Sequence, residues 1–241
     1  FHVNHLCTDI SADNTLQFQN TEGETSIQAG AVIFACGGGS WPQLGSDGSW
    51  VTWLEALGVK VNTLQAANCG FNYAWTNLFK DKFAGHAIKP LRINIKNDGG
   101  KGLQGECVIS EYGIEGSLIY ALSRSMRETI NQHGQATIYL DLLPDHSAER
   151  LSIMLNKPRN GRSLSDVLRR LFGLSAVKVS LIYELCERAQ LTHPDYLIRC
   201  LKQLPLTLKS ARPTAEAIST AGGVSLTQLA AYLMLKDKPG I

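Results

Sequence analysis

The stretch AGAVIFACGGGSWPQLGSDGSWVTWLEALGV, residues 29–59, decides how this sequence is read. Ala31–Ala35 is an uninterrupted small and apolar run, the pattern of a short strand buried on both faces. Gly37, Gly38 and Gly39 follow it, then a Ser-Trp-Pro turn and the step Ser46-Asp47-Gly48. A helix from Trp50 to Leu57 is predicted next, with Ser46 or Asp47 as its N-cap and Gly58 just past its end. A strand that runs through glycines into a capped helix lets backbone approach a ligand closely and sets free N–H groups beside an anion. Cofactor-binding α/β proteins use that arrangement. A tight loop after a strand accounts for the glycines equally well. Asp47 is explained first by helix capping, with ligand contact compatible with it. Trp41 either stacks on a planar cofactor or fills core, and Pro42 fixes the turn.

Outward from this stretch, the sequence changes character in blocks. Residues 1–28 alternate in FHVNHLCTDI and TLQFQ, with turn signals at Asp13-Asn14 and Glu22-Gly23, and predict a small antiparallel meander. Residues 59–112 are β-rich again, in VKVNTL, CGFNYAW, KPLRINIK and LQGECVIS. Gly99-Gly100 and Gly105 fall between or within these runs, so a compact barrel or sandwich is expected. Ser117 is placed to cap a helix over 118–132 that Gly134 ends, and QATIYLDLL gives one more strand, stopped by Pro144. From Ser147 to about Leu204 the pattern predicts four helices and no strand. Ser163 with Asp166 forms a capping box in which Asp replaces the usual Glu, and Gly173 closes that helix.

Composition narrows the function classes. The 241 residues are 44% hydrophobic and carry 23 Lys plus Arg against 21 Asp plus Glu, a formal charge of +2. That balance gives no reason to invoke nucleic acid or an acidic membrane. No apolar run approaches the roughly 18 residues that span a bilayer, and no signal peptide is expected in these residues. The cysteines at 7, 36, 69, 107, 186 and 200 include no C-x-x-C pair, so neither zinc nor a disulfide framework is indicated, and free thiols in a reducing cytoplasm are expected. The basic residues Lys157, Arg159, Arg162, Arg169 and Arg170 are diluted by Glu149 and Asp166 and read as a solvated helix face.

Two further glycine-bracketed segments carry chemistry. In EYGIEGS, residues 111–117, Tyr112 and Glu115 are the candidates for orienting a substrate or moving a proton, against a plain strand-to-helix turn with a solvated Glu115. In STAGGV, residues 219–224, Gly222 and Gly223 bring backbone close to something planar or anionic, or form a bulged strand. No nucleophilic triad is supported, because no His is tied to a Ser by spacing.

Taken together, these patterns resemble the HI0933-like group of bacterial flavoproteins, the BaiN or YhiN type of NAD(P)/FAD-dependent oxidoreductases. AGAVIFACGG is similar to their second FAD-contacting motif, with Cys36 where Thr is usual; SWPQLGSDGSW, ANCGF, SEYGIEGS and STAGGV are similar to the segments that follow. The resemblance implies an α+β chain, in which a β-barrel-like insert and a small helical bundle are attached to a partial dinucleotide (FAD)-binding α/β domain. It assigns residues 1–65 to that partial domain, 66–144 to the barrel-like insert, 145–208 to the helical subdomain and 209–241 to the return strand. It implies FAD contacts at Gly37, Gly38, Ser40, Trp41, Asp47, Gly222 and Gly223, a small-molecule substrate, and NAD(P)H as a possible electron donor. The family's Gly-x-Gly-x-x-Gly turn and its later Gly-Gly-Tyr segment have no counterpart here. The sequence therefore reads as the middle of a flavoprotein, expected to bind FAD weakly alone and to self-associate through residues 29–40 and 219–241. The competing reading is a non-catalytic module whose barrel and bundle recognise a partner or nucleic acid.

Overall fold

The computed structural model describes all residues except Ala12, 96–101, 157–160 and Pro239. The glycine pair Gly99-Gly100 and the basic residues Lys157 and Arg159 lie outside the described residues. The chain divides into two compact units, residues 1–66 with 213–241, and residues 67–212.

The first unit begins with the expected meander. Strands β1 (Leu6–Ile10), β2 (Thr15–Asn20) and β3 (Gly23–Gln28) pair antiparallel, with a bulge between Cys7 and Asp9. Helix α1 (Trp50–Ala56) follows, with Gly58 left-handed just beyond it at φ 79°. Its start differs in detail from the expectation: the Asp47 carboxylate accepts the Ser49 amide at 2.9 Å, one residue before the helix opens. Strand β4 (Val61–Ala67) pairs with the last strand of the chain, β12 (Ser219–Val224). Ile10, Trp50, Leu54, Val59, Leu235 and Ile241 form the buried core of this unit.

The expected strand at Ala31–Ala35 does not form; the segment has no place in a ladder. Val32 and Phe34 pack on the core cluster, whereas Ala31 and Ala35 are exposed and Ile33 is 90% exposed. The residue types are those of a strand buried on both faces, but a strand exists only where neighbours accept its hydrogen bonds. Here one backbone bond, from Val32 N–H to the Gly240 carbonyl at 2.7 Å, holds the middle of the run.

The second unit is built on an antiparallel sheet whose strands are β5 (Phe71–Asn72), β6 (Ala87–Asn94), β7 (Leu103–Ser110), β8 (Gly113–Glu115), β9 (Ala136–Asp141), β10 (Leu204–Leu208) and β11 (Ser210–Ala211). Their order is β10-β9-β6-β7-β8-β5-β11. Among the described residues the ladder does not close, so the expected barrel-like insert takes the form of a curled sheet. Its two edge strands are nonetheless consecutive in the chain, separated only by Lys209, so one segment borders both ends. Alternation along β6, β7 and β9 turns Ile88, Ile93, Cys107, Ile109, Ile138 and Leu140 inward, each at most 1% exposed.

Helices complete this unit. Helix α2 (Asn77–Phe83) is capped by Thr76, whose hydroxyl accepts the Phe79 amide. Helix α3 (Ser117–His133) ends at a left-handed Gly134 and packs on β7 and β9. Among the described residues four α-helices then follow between Ser147 and Leu204, as the pattern predicts: α4 (Ala148–Leu155), α5 (Leu164–Phe172), α6 (Ala176–Leu185) and α7 (Pro194–Lys202). The capping box forms as read. Ser163 Oγ accepts the Asp166 amide at 3.2 Å and donates to its carboxylate at 2.8 Å. No described helix is long and apolar enough to cross a membrane.

Candidate functional site

The loop between β7 and β8 presents Tyr112, and the reason is steric. A Cβ at Gly113 would run into the Phe71 carbonyl, so only glycine lets β8 lie this close to β5. Tyr112 is thereby lifted out of the sheet and left 55% exposed. Its carbonyl accepts the Tyr73 amide at 2.8 Å, and the Trp75 indole donates to the Gly113 carbonyl at 2.9 Å. The turn is thus fixed from both sides.

A recess of about 660 Å³ opens beside it, walled by Tyr73, Trp75, Lys80, Tyr112 and Lys209, with Asn72 also lining it. The rings of Tyr73 and Trp75 lie 4.3 Å apart. The Arg212 guanidinium sits 4.2 Å from the centre of the Tyr112 ring, on the geometry of a cation–π contact. That arginine is held in turn, its Nη1 donating to Asn72 Oδ1 at 3.0 Å and its backbone N–H to the Gly70 carbonyl at 2.9 Å. Burial raises the Tyr73 hydroxyl pKa, and the Glu184 carboxylate adds to the shift, so Tyr73 stays protonated at neutral pH. Glu111 lines the recess as well, so flat aromatic surface with two lysines, one carboxylate and a stacked arginine nearby suits a planar, polar ligand.

Glu115 does not line this recess. It lies against Gly70, whose added Cβ would meet the Glu115 Cβ at 3.1 Å, and its charge, after burial, contributes to raising the Tyr120 pKa. Of the two residues singled out in EYGIEGS, the structure sets Tyr112 in the recess and Glu115 beside it. Sequence reading missed Tyr73, Trp75, Lys80, Lys209 and Arg212. The aromatic run Asn72–Trp75 is a visible signal; Lys209 and Arg212 are contributed by the sheet's far edge and carry none.

In the first unit, the glycine segments 37–39 and 219–224 come together. The Gly39 amide donates to Thr220 Oγ1 at 2.9 Å, and the Gly38 amide to Ser46 Oγ at 3.1 Å. Each glycine also has an internal reason. A Cβ at Gly38 would meet Thr220 Oγ1 at 2.7 Å, and one at Gly222 would strike the Thr63 carbonyl. Gly223 is buried, with Trp50 the nearest atom to an added Cβ at 3.7 Å. Ser40 is buried, Asp47 exposed, and Trp41 is left-handed at φ 64° and 42% exposed. Two of the glycine N–H donors, those of Gly38 and Gly39, are thus bonded to hydroxyls within the chain. Among the described residues, no cluster of three or more His, Cys, Asp or Glu could hold a metal.

Comparison with known proteins gives the family. The chain is 26% identical over 214 residues to a 3-dehydro-bile acid delta(4,6)-reductase of Clostridium scindens, a match covering 81% of this chain and 50% of that protein. It is 25% identical over 170 residues to a ribosomal RNA dihydrouridine synthase of Haemophilus influenzae, covering 70% of this chain and 40% of that protein. The chain thus spans half or less of the length of either relative. Residues 65–219 match the HI0933-like protein barrel and H2TH domain, a region that holds the curled sheet, the helical segment and the Tyr112 recess. The chain belongs to the HI0933-like family of FAD-dependent oxidoreductases and carries its barrel and H2TH domain.

Proposed function

We propose that this chain is the substrate-recognising part of a FAD-dependent oxidoreductase that saturates a carbon–carbon double bond, and that the recess at Tyr112 receives the substrate. The observation that carries the reading is the recess itself, with its aromatic walls, its two lysines and the Arg212-stacked Tyr112. The relatives' names support the reaction class, because a delta(4,6)-reductase and a dihydrouridine synthase both add hydrogen to an unsaturated substrate. In this reading Tyr112 stacks on the planar substrate, and Lys80 and Lys209 hold its carbonyl or anionic edge. Residues 1–65 and 209–241 form part of the FAD-binding domain. FAD binds the isolated chain weakly, because the Gly38 and Gly39 amides are already engaged. The exposed face of residues 31–35 associates with a second copy.

A second reading rests on the same cations. Stacking rings interleaved with Lys80, Lys209 and Arg212 are also what a single-stranded nucleic acid needs. One experiment addresses both. Tryptophan fluorescence, to which Trp75 contributes, is followed as the chain is titrated with a 3-keto-4,6-diene bile acid and, separately, with a uridine-rich RNA oligonucleotide. Tyr112→Ala is expected to weaken whichever ligand binds by ~10-fold or more, since stacking on one ring is worth about 1–3 kcal/mol. A steep loss of affinity with salt assigns the site to RNA. If Tyr112→Ala binds both probes as the parent chain does, the recess is not the substrate site.

A further inference from the structure

Two thiols meet on the helical segment. Cys186 ends α6, and Cys200 lies within α7, one turn after Tyr196. Their sulfur atoms are 2.8 Å apart, with Cys186 donating to Cys200. That separation is longer than a disulfide bond of ~2.05 Å but short for two sulfurs in simple contact. Cys200 is 4% exposed and Cys186 half-buried. A recess of about 220 Å³ opens onto both, with Tyr139, Tyr196, Arg199 and Gln203 among its walls. The Tyr196 hydroxyl accepts the Glu187 amide at 3.1 Å, which fixes the backbone after Cys186, and the Arg199 guanidinium stands 5.2 Å from the Tyr196 ring. Cys69 and Cys107, by contrast, are buried at 1% and 0% exposure.

We propose that Cys186 and Cys200 form a reversible disulfide site, oxidised by a peroxide that enters this recess and reduced again by small thiols. The Cys200 thiolate attacks one peroxide oxygen; the O–O bond breaks, and the departing alkoxide or hydroxide takes up the proton lost from Cys200. The Cys186 sulfur then attacks the Cys200 sulfenic acid; the S–O bond breaks, and hydroxide leaves with the Cys186 proton as water. Two thiols are oxidised and one peroxide is reduced. The hydrogen bond from Cys186, with support from Tyr196 and Arg199 against the effect of burial, lowers the Cys200 pKa, while the same bond to Cys200 and burial raise that of Cys186. Because Cys186 donates to the Cys200 sulfur and Arg199 lines the same recess, Cys200 is assigned as the attacking sulfur and Cys186 as the resolving one. The bond would tie the end of α6 to α7 across the short 3-10 helix Arg188–Thr192.

The reduced full chain is exposed to hydrogen peroxide at near-stoichiometric dose, alkylated and mapped by mass spectrometry. The expected product is a cross-link between the Cys186 and Cys200 peptides, lighter by two hydrogen atoms. It should form ~10-fold or more faster than oxidation of Cys69 or Cys107 and be reversed by dithiothreitol. In Cys186→Ser, oxidation should halt at a Cys200 sulfenic acid that dimedone traps. Oxidation of the parent chain that leaves both thiols free, or pairs either with another cysteine, overturns the proposal. So does dimedone labelling that spares Cys200 in a Cys186→Ser chain with the parent's circular dichroism.

Discussion

Lys178 shows how one buried residue writes a pH dependence into this molecule. It is 3% exposed, and its Nζ donates to the carbonyls of Pro90 and Leu142. Burial lowers its pKa to about 8, although Asp141 pulls the other way. Between pH 8 and its ordinary value the unfolded chain holds more protons than the folded one, so stability rises with pH. Cys107 lies close enough to feel that charge, and burial raises its pKa to about 12. Above pH 9 the unfolded thiol ionises while the folded one does not, which lowers stability with further rise in pH. Each slope is about 1.4 kcal/mol per pH unit. Urea unfolding should therefore show a gain of about 1 kcal/mol from pH 8 to 9 and a plateau or decline beyond. Lys178→Met should remove the gain, and Cys107→Ala should make the profile above pH 9 less steeply falling. A parent profile that is flat from pH 8 to 9 would mean that Lys178 is neutral or charged alike in both states. At Gly113 the argument is steric rather than electrostatic. Gly113→Ala is expected to cost about 2–4 kcal/mol by forcing β8 from β5, and to disturb the Tyr112 recess with it.

Elements were legible in proportion to how much of their signal is local. Helix α5 was readable because Ser163, Asp166 and Gly173 act within its own turns, and all three do so in the structure. Its basic end can be tested directly. Arg169 and Arg170 are exposed in its last turn, so reversing both charges loses a favourable interaction with the helix dipole worth about 1 kcal/mol or less. Arg169→Glu with Arg170→Glu should keep the fold and leave heparin retention nearly unchanged. A large salt-dependent loss of retention would instead make this face a nucleic-acid surface. The segment 31–35 misled for the complementary reason, since an apolar run states that it wants burial but not what will pair with it. The recess divides in the same way. Tyr112 was visible because it stands directly before Gly113 in the glycine-bracketed segment EYGIEGS. Arg212 reaches its ring only because β11 pairs with β5, a contact between strands nearly at opposite ends of the unit. No local pattern encodes such a pairing.

At the scale of the whole molecule, the two glycine segments and the exposed face of residues 31–35 lead to one prediction about the chain in solution. A dinucleotide pyrophosphate is held by free backbone N–H groups and a helix N-terminus. Here the Gly38 and Gly39 amides are bonded to Ser46 and Thr220, and the Asp47 carboxylate takes the Ser49 amide just ahead of α1. The bonds from Ser49 hold the Asp47 carboxyl below its usual pKa, so a fixed negative charge stands just ahead of α1. Each contact forfeited weakens binding about tenfold per 1.4 kcal/mol, which puts FAD affinity for this chain at ~10 µM or weaker. Ile33, 90% exposed between the half-buried Val32 and Phe34, gives the same region an apolar face that a second copy can cover. Burying one such side chain is worth about 2 kcal/mol, so Ile33→Glu should weaken the proposed self-association by ~30-fold or more. Flavin fluorescence titration and sedimentation velocity on one sample measure both quantities. Submicromolar FAD binding by a strict monomer would show that the glycine amides exchange their hydroxyl partners for the cofactor and that the face of residues 31–35 needs no cover.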